Sequence, residues 1–132
     1  MSTIGFDTSN YTTSTAWTDG KTDINVRQIL YVKDGERGIR QSDGVFQHMK
    51  LMPVMYEKLS EQIDFKDVKA VGVSTRPRCV EGSYMPVFLA GEGYAKVVAN
   101  TLGVPLYEFS HQDGHIMAGI YRYTCRAVQR KF

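Results

Sequence analysis

Apolar and polar positions alternate through the first third of the chain and change period near residue 45. Ile4 and Phe6 alternate with Thr3, Gly5 and Asp7, which predicts a strand over residues 3–7 that runs into the turn Asp7-Thr8-Ser9-Asn10. A second strand fits the β-branched stretch 12–17, and a third fits 26–32. Asp19-Gly20 and Asp34-Gly35 mark the turns that follow them. Residues 35–44 read as a polar loop. From there Val45, Met49, Met52, Met55, Leu59 and Ile63 recur at three- and four-residue spacing, so one face of a helix is apolar. Its methionines read as core filler rather than as a cofactor box.

Residues 68–74 form a short, nearly continuous apolar run, the mark of a strand covered on both faces. A second helix is predicted over 84–102, with Pro86 in its first turn and Gly103 near its C-cap. Ala90, Gly91, Gly93 and Ala95 leave that helix little bulk, which suits close packing on a sheet. A strand over 104–109 follows, and a third helix is expected from His111.

The order β-β-β-α-β-α-β-α sets the fold class. Three strands joined by tight turns make an antiparallel meander, and later strands arrive through helical crossovers that favour parallel pairing. The expectation is an α/β protein with a mixed sheet, in the order of a ribonuclease H-like (actin-like ATPase) lobe.

Length and composition narrow the class. The 132 residues hold one core and not two. Apolar residues make up 42% and charged residues 23%, an ordinary globular balance, and a net charge of +2 gives no nucleic-acid footprint. Cys79 and Cys125 make neither a disulfide framework nor a CxxC unit, and read as reduced thiols. The N-terminus lacks a signal-peptide pattern, and no segment approaches the ~20 apolar residues of a membrane span. A cytoplasmic protein without membrane contact is expected.

Two segments carry chemistry. The turn Asp7-Thr8-Ser9-Asn10 can offer backbone amides and hydroxyls to a phosphate while its aspartate holds a cation or water; the alternative is a ligand-free Asx turn. His111 and His115 stand four apart, so on a helix they project from one face and can share a metal ion. They follow a predicted strand, at the carboxyl end where open α/β sheets place ligands. Gln112 stands where a zinc protease has its glutamate base, which disfavours proteolysis. His48 reads as a structural histidine beside the first helix's apolar face. The loop after residue 74 carries Arg76, Arg78 and Cys79; it could attract an anion at a helix start or serve as a solvated crossover.

Together these pieces resemble the N-terminal lobe of the TsaD/Gcp family, the O-sialoglycoprotein endopeptidase-like group. The matching residues are Ile4-Gly5-Phe6-Asp7-Thr8-Ser9, the stretch around His48 and Pro53, and Ala70-Val71-Gly72-Val73-Ser74. They continue with 91–96, Gly103-Val104-Pro105-Leu106 and Ser110-His111-Gln112-Asp113-Gly114-His115-Ile116. The resemblance covers residues 3–121 and implies an actin-like lobe acting in tRNA N6-threonylcarbamoyladenosine formation, by transfer of a threonylcarbamoyl group to a tRNA adenosine. It also implies one divalent metal, iron or zinc, on His111 and His115 with an aspartate from a second lobe, and ATP or threonylcarbamoyl-adenylate as the ligand of the Asp7 turn.

The chain departs from the family in places. Members are commonly more than twice as long, and Arg76 to Glu81 replace a glycine-rich crossover loop. Asn10-Tyr11 stand where an acidic residue is frequent, and the basic tail 122–132 does not match. One lobe over 1–121 is therefore expected, inactive alone, with a second lobe or a homodimer partner, tRNA and other proteins of the same modification system as its partners. The alternative is a non-catalytic dimerising scaffold of the TsaB type. A generic sugar-kinase-like lobe is disfavoured by the histidine pair.

Overall fold

The computed structural model describes residues 1–9, 11–35, 38–77 and 85–111. Its sheet has five strands in the order β3-β2-β1-β4-β5. The strands are β1 (Ser2–Asp7), β2 (Thr12–Thr18), β3 (Asp23–Ile29), β4 (Val68–Arg76) and β5 (Leu106–Ser110). β1, β2 and β3 pair antiparallel, whereas β1–β4 and β4–β5 pair parallel. This is the expected mixed sheet of a ribonuclease H-like lobe. α1 (Gln41–Ser60) and α2 (Phe88–Leu102) provide crossovers into β4 and β5. Among the described residues, no helix is long and apolar enough to cross a membrane.

Both helices lie on one face of the sheet. Ile4 and Phe6 of β1, Val71 and Val73 of β4, Met52 and Leu59 of α1, and Ala95 and Ala99 of α2 form one buried cluster. Period-two alternation sends the opposite set of strand residues to the other face, where Gly5 and Gly72 pair. The Phe109 ring lies across Gly72, with its Cε1 3.1 Å from where a β-carbon would stand. β4 is buried continuously from Val71 to Thr75, as expected of a strand covered on both faces.

Several element boundaries differ from those expected. α1 begins at Gln41, four residues before the apolar periodicity starts, and its buried stripe is Gly44, His48, Met52, Met55 and Leu59. Val45 is half-buried and Met49 is exposed, so the stripe is rotated from the predicted one. Gly44 is required there because a β-carbon would stand 2.8 Å from Val87 Cγ1. β3 runs from Asp23 to Ile29 rather than over 26–32: the Leu30 amide instead bonds the Tyr11 carbonyl, and the Gln47 side chain holds both backbone groups of Tyr31. α2 starts at Phe88, with residues 85–87 outside the helix. Its other end is as expected. Gly103 adopts φ 68°, and the Val104 amide bonds the Ala99 carbonyl, a Schellman closure.

Pro53 lies inside α1. Proline has no N–H, so the carbonyl of Met49 loses its intrahelical partner. The Tyr94 hydroxyl of α2 fills that vacancy, donating to Met49 O at 2.8 Å. The helices are therefore locked together at a break that the sequence itself creates. Tyr94→Phe should destabilise the chain by about 1 kcal/mol, the usual worth of such a bond. In a Pro53→Ala background the same change should cost clearly less, because an alanine at that position supplies the missing N–H. A urea-unfolding double-mutant cycle measures this, and additive effects would refute the lock.

Candidate functional site

Strands β1, β4 and β5 are parallel, so their carboxyl ends share one edge of the sheet. Asp7 ends β1, Ser74 lies near the end of β4, and His111 follows β5 directly. β4 separates the other two strands, which puts β1 and β5 roughly 10 Å apart. The Asp7 and His111 side chains close that gap across the small Ser74: His111 Nδ1 is 2.7 Å from Asp7 Oδ2. The Ser74 hydroxyl donates to the same oxygen at 2.9 Å, and the Ser9 amide donates to Oδ1 at 2.7 Å. The β4–β5 register shifts between Ser74 and Arg76, an irregularity of the kind found where a sheet edge is re-aimed beside a site.

The turn after β1 is held from beneath. Thr8 is fully buried; its hydroxyl donates to Val87 O at 2.8 Å and accepts from the Gly91 amide at 3.0 Å. Gly91 allows this approach because a β-carbon there would stand 2.9 Å from Thr8 Oγ1. Of the small residues of α2, Ala90, Gly91 and Ala95 are buried as expected, with Gly91 against the turn, whereas Gly93 is exposed and a β-carbon there would meet nothing within 4 Å. Of the four residues expected to cradle a phosphate, Asp7 and Ser9 form an Asx turn, Thr8 points into α2, and Asn10 lies outside the described residues.

His115 likewise lies outside the described residues, as do Arg78 and Cys79. Arg76 is half-buried at the edge, with Nη1 3.2 Å from Thr75 Oγ1. His48 is a core histidine, as expected of a structural one: it is fully buried, with Nδ1 2.7 Å from Thr13 Oγ1 of β2. The contact between the two expected sites, and the part of Ser74 in it, were not read from the sequence. Parallel pairing of β1 with β4 and of β4 with β5 was the available signal.

Burial pushes the Asp7 carboxyl upward, but hydrogen bonds from His111 and Ser9 and the charge on His111 outweigh it and leave it below 3.8. The hydrogen bond to Asp7 raises the His111 imidazole above 6.5, against a smaller opposing effect of burial. The side chains keep 33% and 27% exposure, so solvent screens part of this attraction.

This fold and edge define a class, an α/β lobe with a carboxylate–imidazole pair at the shared carboxyl edge of its parallel strands. No protein-family model matches the chain. The tRNA N6-adenosine threonylcarbamoyltransferase of Clostridium kluyveri is 36% identical over 78 residues, covering 58% of this chain and 21% of that protein. The enzyme of that name from Pyrobaculum calidifontis is 28% identical over 120 residues, covering 89% of this chain and 34% of its own. That of Moorella thermoacetica is 40% identical over 78 residues, covering 58% and 21%. The chain thus spans a fifth to a third of the length of these curated relatives. Among solved structures, YeaZ from Pseudomonas aeruginosa superposes with a TM-score of 0.61 at 16% identity, over 95% of this chain and 50% of that one. An uncharacterized protein with similarity to peptidase YeaZ, also from Pseudomonas aeruginosa, gives 0.63 at 15% identity over 93% and 49%. These two likenesses carry the fold.

The paired shifts predict a pH dependence of stability. His111, raised above 6.5, stabilises the fold below 6.5, and that contribution fades as pH climbs through its folded value. Asp7, held below 3.8, stabilises above 3.8, and that contribution fades as pH falls through its folded value. The pair therefore contributes most between 3.8 and 6.5. In the presence of a chelator, the gap in urea midpoint between wild type and His111→Ala should be wider at about pH 5.5 than at about pH 9. A gap that is flat, or that widens toward alkaline pH, would count against the pair.

Proposed function

We propose that this chain is the first lobe of a TsaD-type tRNA threonylcarbamoyltransferase, with a half-site for a divalent metal at the carboxyl edge of its sheet. The observation that carries the reading is the Asp7–His111 contact. It joins the two segments that the sequence singles out for phosphate and for metal into one cluster, and the similar curated proteins share one named activity.

The donor chemistry fits a metal. A ligating histidine ordinarily gives its second ring nitrogen to a carboxylate, and His111 has that partner in Asp7. Among the described residues no three His, Cys, Asp or Glu side chains are grouped, so the described part offers one imidazole with its supporting carboxylate. His115 and a ligand from a second lobe would complete the set, with iron or zinc as the ion. Once bound, the metal would supply Lewis-acid polarisation of the carbamoyl donor. The turn residues Asp7 to Asn10 would lie beside the phosphate of ATP or of the adenylate, and Arg76 stands at the same edge. Partners would be the second lobe, tRNA and other proteins of this modification system.

A second reading, a non-catalytic dimerising partner of the TsaB type, has one observation in its favour. Phe46, Met49 and Val54 of α1 and Leu89 and Val97 of α2 are exposed on adjacent helices. Apolar surface gathered on one side marks a docking face.

Metal analysis of the purified chain separates the readings. Near-stoichiometric iron or zinc in wild type, lost in both His111→Ala and His115→Ala, is the expected result; its absence from wild type would refute the half-site. In sedimentation, a dimer reduced to monomer by Phe46→Glu combined with Leu89→Glu would support the scaffold reading, and a wild-type monomer at high concentration would sink it.

A further inference from the structure

We infer that Asp7 is a positioning residue for His111: it holds the imidazole proton on Nδ1, so that Nε2 is the nitrogen presented to the metal. This rests on the reading of His111 as a metal ligand. Hydrogen-bond capacity fixes the tautomer. An ionised carboxylate can only accept, so at 2.7 Å from Asp7 Oδ2 the His111 Nδ1 must donate. A neutral imidazole carries one proton, and with that proton on Nδ1 the lone pair lies on Nε2.

The carboxylate is itself immobilised. Oδ1 accepts from the Ser9 amide, and Oδ2 accepts from Ser74 as well as from His111. The next residue, Thr8, is buried and bonded at both its donor and its acceptor to α2 and the residue just before it. The Thr8 bonds therefore fix the backbone that carries Asp7, the carboxylate's own three bonds fix its side chain, and the ring it orients inherits that rigidity. Preorganisation of this kind separates a tight imidazole ligand from a loose one.

The geometry makes the amide variant the informative one. In Asp7→Asn the Ser9 amide selects the side-chain oxygen at the Oδ1 position, which turns the NH2 group toward His111 Nδ1. The amide then donates to Nδ1, and the ring must move its proton to Nε2, the nitrogen the metal needs. Asp7→Ala merely releases the ring. The asparagine variant should therefore bind metal no better than the alanine variant, although it is the smaller change; a purely structural role would rank them the other way.

The experiment has two readouts. Long-range proton–nitrogen NMR on the 15N-labelled chain at alkaline pH reads the tautomer, with the His111 signals assigned by their loss in His111→Gln. Wild type should show the proton on Nδ1, and Asp7→Asn should show it on Nε2. Zinc titration against a chromophoric chelator should give an affinity roughly 10- to 100-fold lower in Asp7→Asn than in wild type, with circular dichroism unchanged. Ser74→Ala should keep the Nδ1 proton and lose less affinity; if Asp7→Asn does not fold, this variant and the wild-type tautomer decide the matter. A wild-type proton on Nε2, or equal zinc affinity in wild type and Asp7→Asn, would overturn the positioning role. A wild-type Nδ1 proton with no zinc uptake would instead overturn the metal-ligand reading on which it rests.

Discussion

The carboxylate at the end of β1 organises the functional edge of this lobe. Asp7 is placed by parallel pairing beside β4, kept ionised by its donors, and braced by a buried threonine that ties its turn to α2. A half-buried anion with too few donors would protonate or turn toward solvent. Here an amide, a hydroxyl and an imidazole from three segments converge on it, so β1, β4 and the start of the segment after β5 are held in mutual register by one side chain. Whatever binds at this edge meets a surface whose polar groups already have fixed directions.

The rest of the lobe supports that edge by ordinary means. Period-two burial in β1 and the shared apolar cluster fix the sheet beneath α1 and α2. The two helices approach closely at their starts because Gly44 makes room for Val87, and Tyr94 secures them at the Pro53 break. The proline that would weaken α1 alone is thereby turned into a point of attachment for its neighbour.

The fold was largely legible because strands and helices here follow hydrophobic period closely, and the element order alone specifies a mixed sheet. The misplacements share a cause. Periodicity favoured Val45 and Met49 over Gly44 and His48, since neither glycine nor histidine registers as apolar; yet a missing β-carbon and a hydroxyl partner on Thr13 let both enter the core. Likewise Leu30, Tyr31 and Val32 read as strand, while the side chain of Gln47 captured the backbone there. The candidate site was legible as two separate motifs. Their meeting was not, because Asp7 and His111 lie far apart in sequence and become neighbours only through strand order, across a small residue whose hydroxyl joins the contact.

The joint between Thr8 and Gly91 bears on how freely this sequence can drift. Position 8 needs a hydroxyl on its β-carbon that donates and accepts at once, which only serine or threonine offers, and position 91 admits no side chain at all while that hydroxyl is present. Neither position can change first without a loss, so the two constrain each other as a pair that is nearly closed to single-step substitution. In any library of variants a narrow bottleneck away from the edge residues would lie there, in a contact between two elements of the scaffold.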